Sequence, residues 1–144
     1  MKYRIATALL AMTFAASTAY ARDTIRDYPI ESALKSDEGK LDDGVALYFG
    51  DQAHPRVLKS YGSFATNKKT NAFGKSDDAA CQHVFLSAVI ELQARARKEG
   101  GNAVIGIKSN YRNVLRSSAT EYTCGAGAVV AGAALTGEVV TLKP

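Results

Sequence analysis

Residues Ser76–Ile107, SDDAACQHVFLSAVIELQARARKEGGNAVIGI, spell out a helix, a turn and a strand in purely local signals. Ser76 is an N-cap residue, and Asp77 and Asp78 follow it where carboxylates meet free backbone N–H groups and the positive end of the helix dipole. Arg95, Arg97 and Lys98 gather at the opposite end. Cys81, Phe85, Ala88, Leu92 and Ala96 recur at three- and four-residue spacing and draw one apolar stripe, which Val84, Val89 and Ile90 widen. Glu91, Gln93 and the arginines are expected to face away from it. Gly100 supplies a left-handed stop and Gly101 a tight reversal. The apolar run Ala103–Ile107 is too short for a second helix and reads as a central strand.

Upstream of this unit, Pro29 is placed to open a short helix through Leu34, and Ser36–Lys40 reads as a turn. Gly44–Gly50 is a bounded apolar run with β-branched and aromatic bias, hence a strand. Arg56–Ala65 reads as a second strand broken by Gly62. Thr66–Lys75 (TNKKTNAFGK) reads as a long polar loop that could carry function, with Lys68, Lys69 and Lys75 as its cations. Downstream, Ser109–Ser118 is expected to end a strand and turn, and Thr120–Cys124 to form another strand. Gly125–Thr136 (GAGAVVAGAALT) is almost entirely small, apolar and uncharged. Its glycines, Gly125, Gly127 and Gly132 among them, permit close backbone approach, so it is expected to be a tightly packed strand or a subunit contact. Gly137–Leu142 is expected to be the last strand. The order of elements predicts an α+β fold, one long helix packed on a small β-sheet in a single domain.

Met1–Ala21 has the pattern of a secretory signal: Lys2 and Arg4, an apolar stretch Ile5–Ala16, and the small-x-small site Ala19-Tyr20-Ala21. That apolar stretch falls short of the roughly 20 residues that span a bilayer. No cysteine follows the site, as a lipoprotein signal would require, so no stable membrane anchor is expected. The organisation predicted is therefore a signal peptide at 1–21, a polar segment at 22–43 and an α+β domain at 44–144, with a periplasmic location after cleavage at Ala21. Removing Lys2 and Arg4 lowers the formal charge from +4 to +2. With no tryptophan and 8% aromatic residues, the chain offers few stacking platforms, and nucleic acid is not an expected partner. Cys81 and Cys124, an even pair in an oxidising compartment, read most simply as a disulfide; a redox pair or thiolate metal ligands are the rival readings.

Motifs for catalysis or cofactors are incomplete. Gly74-Lys75-Ser76 imitates the end of a phosphate-binding loop, but Lys69 stands where the first glycine is needed. Gly125-Ala126-Gly127 is half of a dinucleotide fingerprint, with Val130 at the third glycine position. His54 near Asp51 and His83 near Asp77 and Asp78 are isolated, and neither histidine has the spacing of a metal site. No serine sits in a nucleophile elbow, and no carboxylate pair stands out for acid–base work. No cofactor, no metal and no enzymatic activity are expected.

The stretch ARARKEGGNAVIGIKSNY, residues 94–111, resembles the YbjQ-type proteins, also called the heavy-metal-binding domain family, and is similar to the signalling domain of the Rcs envelope-stress sensor lipoprotein. The resemblance covers about Val57–Leu142, and Gly101–Ile107 carries most of it. It implies an α+β domain with the helix on a small sheet, an oligomer in the YbjQ-type case, and disulfide-held protein contacts in the Rcs case. The chain also resembles a set of small exported proteobacterial proteins of unknown function, some bearing automatic excinuclease-subunit labels; no complete phosphate loop and no zinc-spaced cysteines accompany that label here. Together these readings predict a non-enzymatic periplasmic module acting through protein contacts or envelope sensing. Its expected partners are envelope proteins or a second copy of the chain, through Lys68–Lys75 and Gly125–Leu135. The alternative is a small-ligand or metal-binding protein using His54, His83 and the sulfurs.

Overall fold

A computed structural model describes residues 22–144; the expected export signal, Met1–Ala21, lies outside the described residues. The central helix α2 runs Asp77–Glu99, and the Ser76 hydroxyl oxygen accepts the Ala79 N–H at 3.1 Å, as an N-cap should. At the other end Gly100 sits at φ 89°, and the Gly101 N–H reaches back to the Ala96 carbonyl at 2.8 Å, which closes the helix and turns the chain into β4 (Ala103–Ser109). Around this unit lie β1 (Thr24–Pro29), α1 (Ile30–Ser36), β2 (Ala46–Phe49), β3 (Val57–Asn71), β5 (Glu121–Ala126) and β6 (Val130–Leu142). The result is α+β, with one long helix over a curled six-stranded sheet.

The sheet is built on β6. Along one edge β6 pairs with β3 from Asn71↔Val130 to Val57↔Leu142; its other edge is shared by β5 at its start and β4 further on. The path β1-β5-β6-β4-β2 completes the sheet, antiparallel except where β2 runs parallel to β4. The segment 22–43 thus supplies an edge strand and α1. Alternation along β6 divides the core. Ala131, Ala133, Leu135 and Val139 pack under α2 with Val84, Phe85, Leu92, Val104 and Ile107. Ala103, Ile105, Val140 and Leu142, with Tyr48, form a small cluster on the outer face. Cys81 and Cys124, both fully buried, are joined with their Cα atoms 5.9 Å apart, tying α2 to β5.

Three expectations about strand boundaries are corrected. Thr66–Lys75 is not one long loop: β3 continues to Asn71, and only residues 72–75 turn. The polar residues mislead because Thr66 and Lys68 bind α2, through the Ala88 carbonyl at 3.4 Å and Glu91 at 2.9 Å, while their neighbours meet solvent. Gly62, at φ 98°, bends this strand at a register shift without ending it. Gly125–Thr136 and Gly137–Leu142 are not successive strands, since β6 runs unbroken from Val130 to Leu142.

Gln93 does not face away. It is 2% exposed, donates to the Asp42 and Val45 carbonyls at 3.1 and 2.9 Å, and accepts the Asp42 N–H at 2.9 Å, holding the turn that launches β2. Beside it the Arg97 guanidinium grips Asp42 through two hydrogen bonds of 2.6 Å. Arg97, and after it the Gly44 N–H, hold the Asp42 carboxyl at about 2, from an ordinary 3.8. A depressed carboxyl stabilises the fold above its unfolded value and ceases to do so as pH falls through its folded one. The stability difference between the native chain and Asp42→Asn, followed by urea unfolding, should therefore be full near neutral pH and vanish between about pH 4 and 2.

Candidate interaction surface

The two segments singled out in the sequence meet at one end of the sheet. β3 and β6 end their pairing at Asn71↔Val130, and beyond it the Ala72 N–H donates to the Val129 carbonyl at 2.7 Å. The turn into α2 is tight: the Asn71 side-chain oxygen accepts the Phe73 N–H at 2.9 Å, Gly74 takes φ 71°, and the Lys75 N–H returns to the Ala72 carbonyl. Opposite it, the Gly127 N–H donates to the Val130 carbonyl at 2.8 Å and closes the β5–β6 turn. With both backbones tied down, the side chains at the tip point outward. Phe73 is 74% exposed, Val129 59% and Val130 48%. Lys69 and Lys75 are exposed nearby along the same segment, whereas Lys68 is occupied by Glu91.

The glycines of the small-residue stretch serve the interior. Gly125, Gly127 and Gly132 are all buried. Gly125 and Gly132 are paired across β5 and β6, and together they seat the Tyr111 ring: a Cβ at Gly125 would lie 2.1 Å from the Tyr111 oxygen, and one at Gly132 3.2 Å from its ring. Tyr111 begins an arch over the outer face and donates from its hydroxyl to Asp23 at 3.2 Å. Burial, followed by the Asp23 charge, pushes its hydroxyl pKa up. Arg112 pairs with Asp23, and Arg116 with Asp27 at 2.6 Å, so the arch is pinned to β1 and to the residue just before it. Arg112 and Asn113 take left-handed φ of 52° and 62° within it. Val114 and Leu115, beyond them, are 68% and 60% exposed. The sequence signal for the seat was available in the facing glycines, but nothing in their spacing names Tyr111 as the occupant.

The histidines are placed apart. His54 borders an outer-face cleft of about 340 Å³ with Asp51, Lys108 and Glu138, floored by Ile105 and Gly137. Glu138 already accepts the Ser60 hydroxyl at 2.6 Å, and the His54 Nδ1 lies against the Pro55 carbonyl at 2.8 Å. Among the described residues no hydroxyl or thiol is hydrogen-bonded to an imidazole side chain, the arrangement that activates a nucleophile. His83 lies on α2 beside a separate hollow with Asp37 and Lys40. The sulfurs are bonded to each other, so they are not available to a metal with His83, and no group of three histidine, cysteine, aspartate or glutamate side chains converges among the described residues. Nor is any described helix long and apolar enough to cross a membrane. No protein-family model, no curated protein and no solved structure matches this chain.

Proposed function

We propose that the chain is a non-enzymatic periplasmic module that works by protein contact, with Phe73, Val129 and Val130 as the centre of its contact surface. The observation that carries this reading is the tip itself: a three-quarters-exposed phenylalanine on a turn whose backbone hydrogen bonds leave it little freedom to fold back. Aromatic anchors of this kind, fixed before binding, lose little entropy on docking and account for most of the energy of small interfaces. Lys69 and Lys75 suit a partner that surrounds an apolar hollow with carboxylates. The resemblance to envelope-sensing domains supports the same reading, as does a buried disulfide, which persists in an oxidising compartment. The partner expected is an envelope protein, with a second copy of the chain as the other candidate.

Photo-cross-linking in cells distinguishes the two. A benzophenone side chain at position 73 should give discrete adducts whose mass shows either a second copy or a different protein, while the same group at Lys98, on the polar side of α2, should give none. Val129→Asp should lower the adduct yield about tenfold or more, the effect of losing one buried aliphatic contact and adding an uncompensated charge. Equal yields from positions 73 and 98 would remove the tip from consideration.

A further inference from the structure

The sheet does not close on itself. Among the described residues β2 pairs only with β4 and β1 only with β5, so an open seam remains between β2 and the entrance to β5. Two links fix its width. The Ile30 N–H, at the start of α1, donates to the Thr120 carbonyl at 2.9 Å. The Gln52 side chain accepts the Phe49 N–H at 2.8 Å and donates to the Ala119 carbonyl at 3.1 Å. Between these links, with α1 as its third wall, lies a groove of about 640 Å³. That volume is in the range of small-molecule sites, roughly 300–1,000 Å³.

Its chemistry is two-part. Ile30 and Phe49, both buried, and Leu34 and Leu47, half-buried, supply an apolar wall. Charge is confined to the α1 side of the rim, at Glu31, Lys35 and Glu38. Lys35 pairs with Glu31, whose carboxylate lies 2.5 Å from the ammonium one helical turn away, and it also feels the Glu38 charge. Glu38 has no ion-pair partner among the described residues. Two carboxylates and one ammonium leave the rim with one net negative charge beside an apolar wall. An anionic ligand would be repelled by that net charge, while a cation gains the Glu38 carboxylate.

We propose that this groove binds a small amphipathic organic cation, its apolar body against Ile30, Leu34, Leu47 and Phe49 and its ammonium group at Glu38. The site is separate from the Phe73 tip and does not depend on the function proposed for that tip.

The test uses the oxidised chain and the neutral fluorescent probe N-phenyl-1-naphthylamine, whose emission is read without interference because the protein has no tryptophan. The native chain should give a saturable rise in emission that Leu34→Asp and Leu47→Asp, checked for fold by circular dichroism, both abolish. Octylammonium should displace the probe at a concentration about tenfold lower than octanoate, the scale of one charge-assisted contact. Glu38→Lys, an exposed change that leaves the core intact, should reverse that order. No saturable signal, or a signal that survives both aspartate variants, overturns the site. Equal displacement by octylammonium and octanoate, or an order unchanged in Glu38→Lys, overturns the cationic class.

Discussion

Replacing Cys81 and Cys124 together by alanine should lower the free energy of unfolding by about 2–5 kcal/mol, the range for native disulfides in small domains. The pair spans 43 residues of sequence, so the bond removes a large closed-loop entropy from the unfolded chain. Both sulfurs are fully buried, and alanine there adds no unpaired polar group, so the loss falls mainly on the cross-link and a small packing defect. For a domain of this size the melting temperature should drop by roughly 10 °C. Differential scanning calorimetry of the native and double-alanine chains is the direct measurement. A shift of only a degree or two would mean that the joined ends are already held together in the unfolded ensemble. Because the bond is inaccessible, a reductant added to the native chain should act at the rate of unfolding, and a little urea should accelerate it.

Phe85→Ala should be comparably severe, at about 3–5 kcal/mol. Phe85 is fully buried on α2; its ring stacks on Tyr122 with centroids 3.9 Å apart and meets Phe49 at 6.0 Å. It is therefore the contact through which the helix grips both β5 and β2, the two sides of the open seam. Truncating it leaves a hole bordered by rigid rings that cannot collapse, the circumstance in which cavity costs are highest. Equilibrium urea unfolding should show a lower midpoint with an unchanged slope, because the variant still unfolds from the same native surface. A loss under 1 kcal/mol would show that Tyr122 and Phe49 close the gap between them.

Much of this was legible in the residues, and the exceptions have physical causes. Helix α2 and its exit into β4 could be read because caps, dipole-matched charges and apolar spacing all agree within one window. The cysteine pairing could be read from the even number of cysteines and the compartment expected for them. β1 was missed because TIRDYP buries only Tyr28, so an edge strand with one inward side chain shows almost no alternation. The end of β3 was read as a loop for a related reason: Lys68 satisfies Glu91, and the alternate residues face water, leaving no apolar period to detect. Gln93 was placed outside because a glutamine is usually exposed, yet here its amide replaces backbone partners that the turn at Asp42 lacks. Of the surface proposed for contact, both segments were singled out in the sequence, and the close-packed reading of the glycines holds, but the exposed apolar side chains beside them were not named. The glycines are internal, and Phe73, Val129 and Val130 are what the solvent meets.

The position of β6 has a consequence for the order of events in folding. Three strands take their place from this one, and it comes after every one of them in the chain. Until it arrives, α2 lacks the middle of the sheet it covers, β3 has no neighbouring strand, and β4 and β5 cannot be brought into one sheet. Helix α2 can flicker into existence early, since its signals are local, but the sheet must wait for contacts between distant parts of the chain, the class that folds in milliseconds to seconds. A chain still emerging is therefore held open by its own topology until its last strand is made.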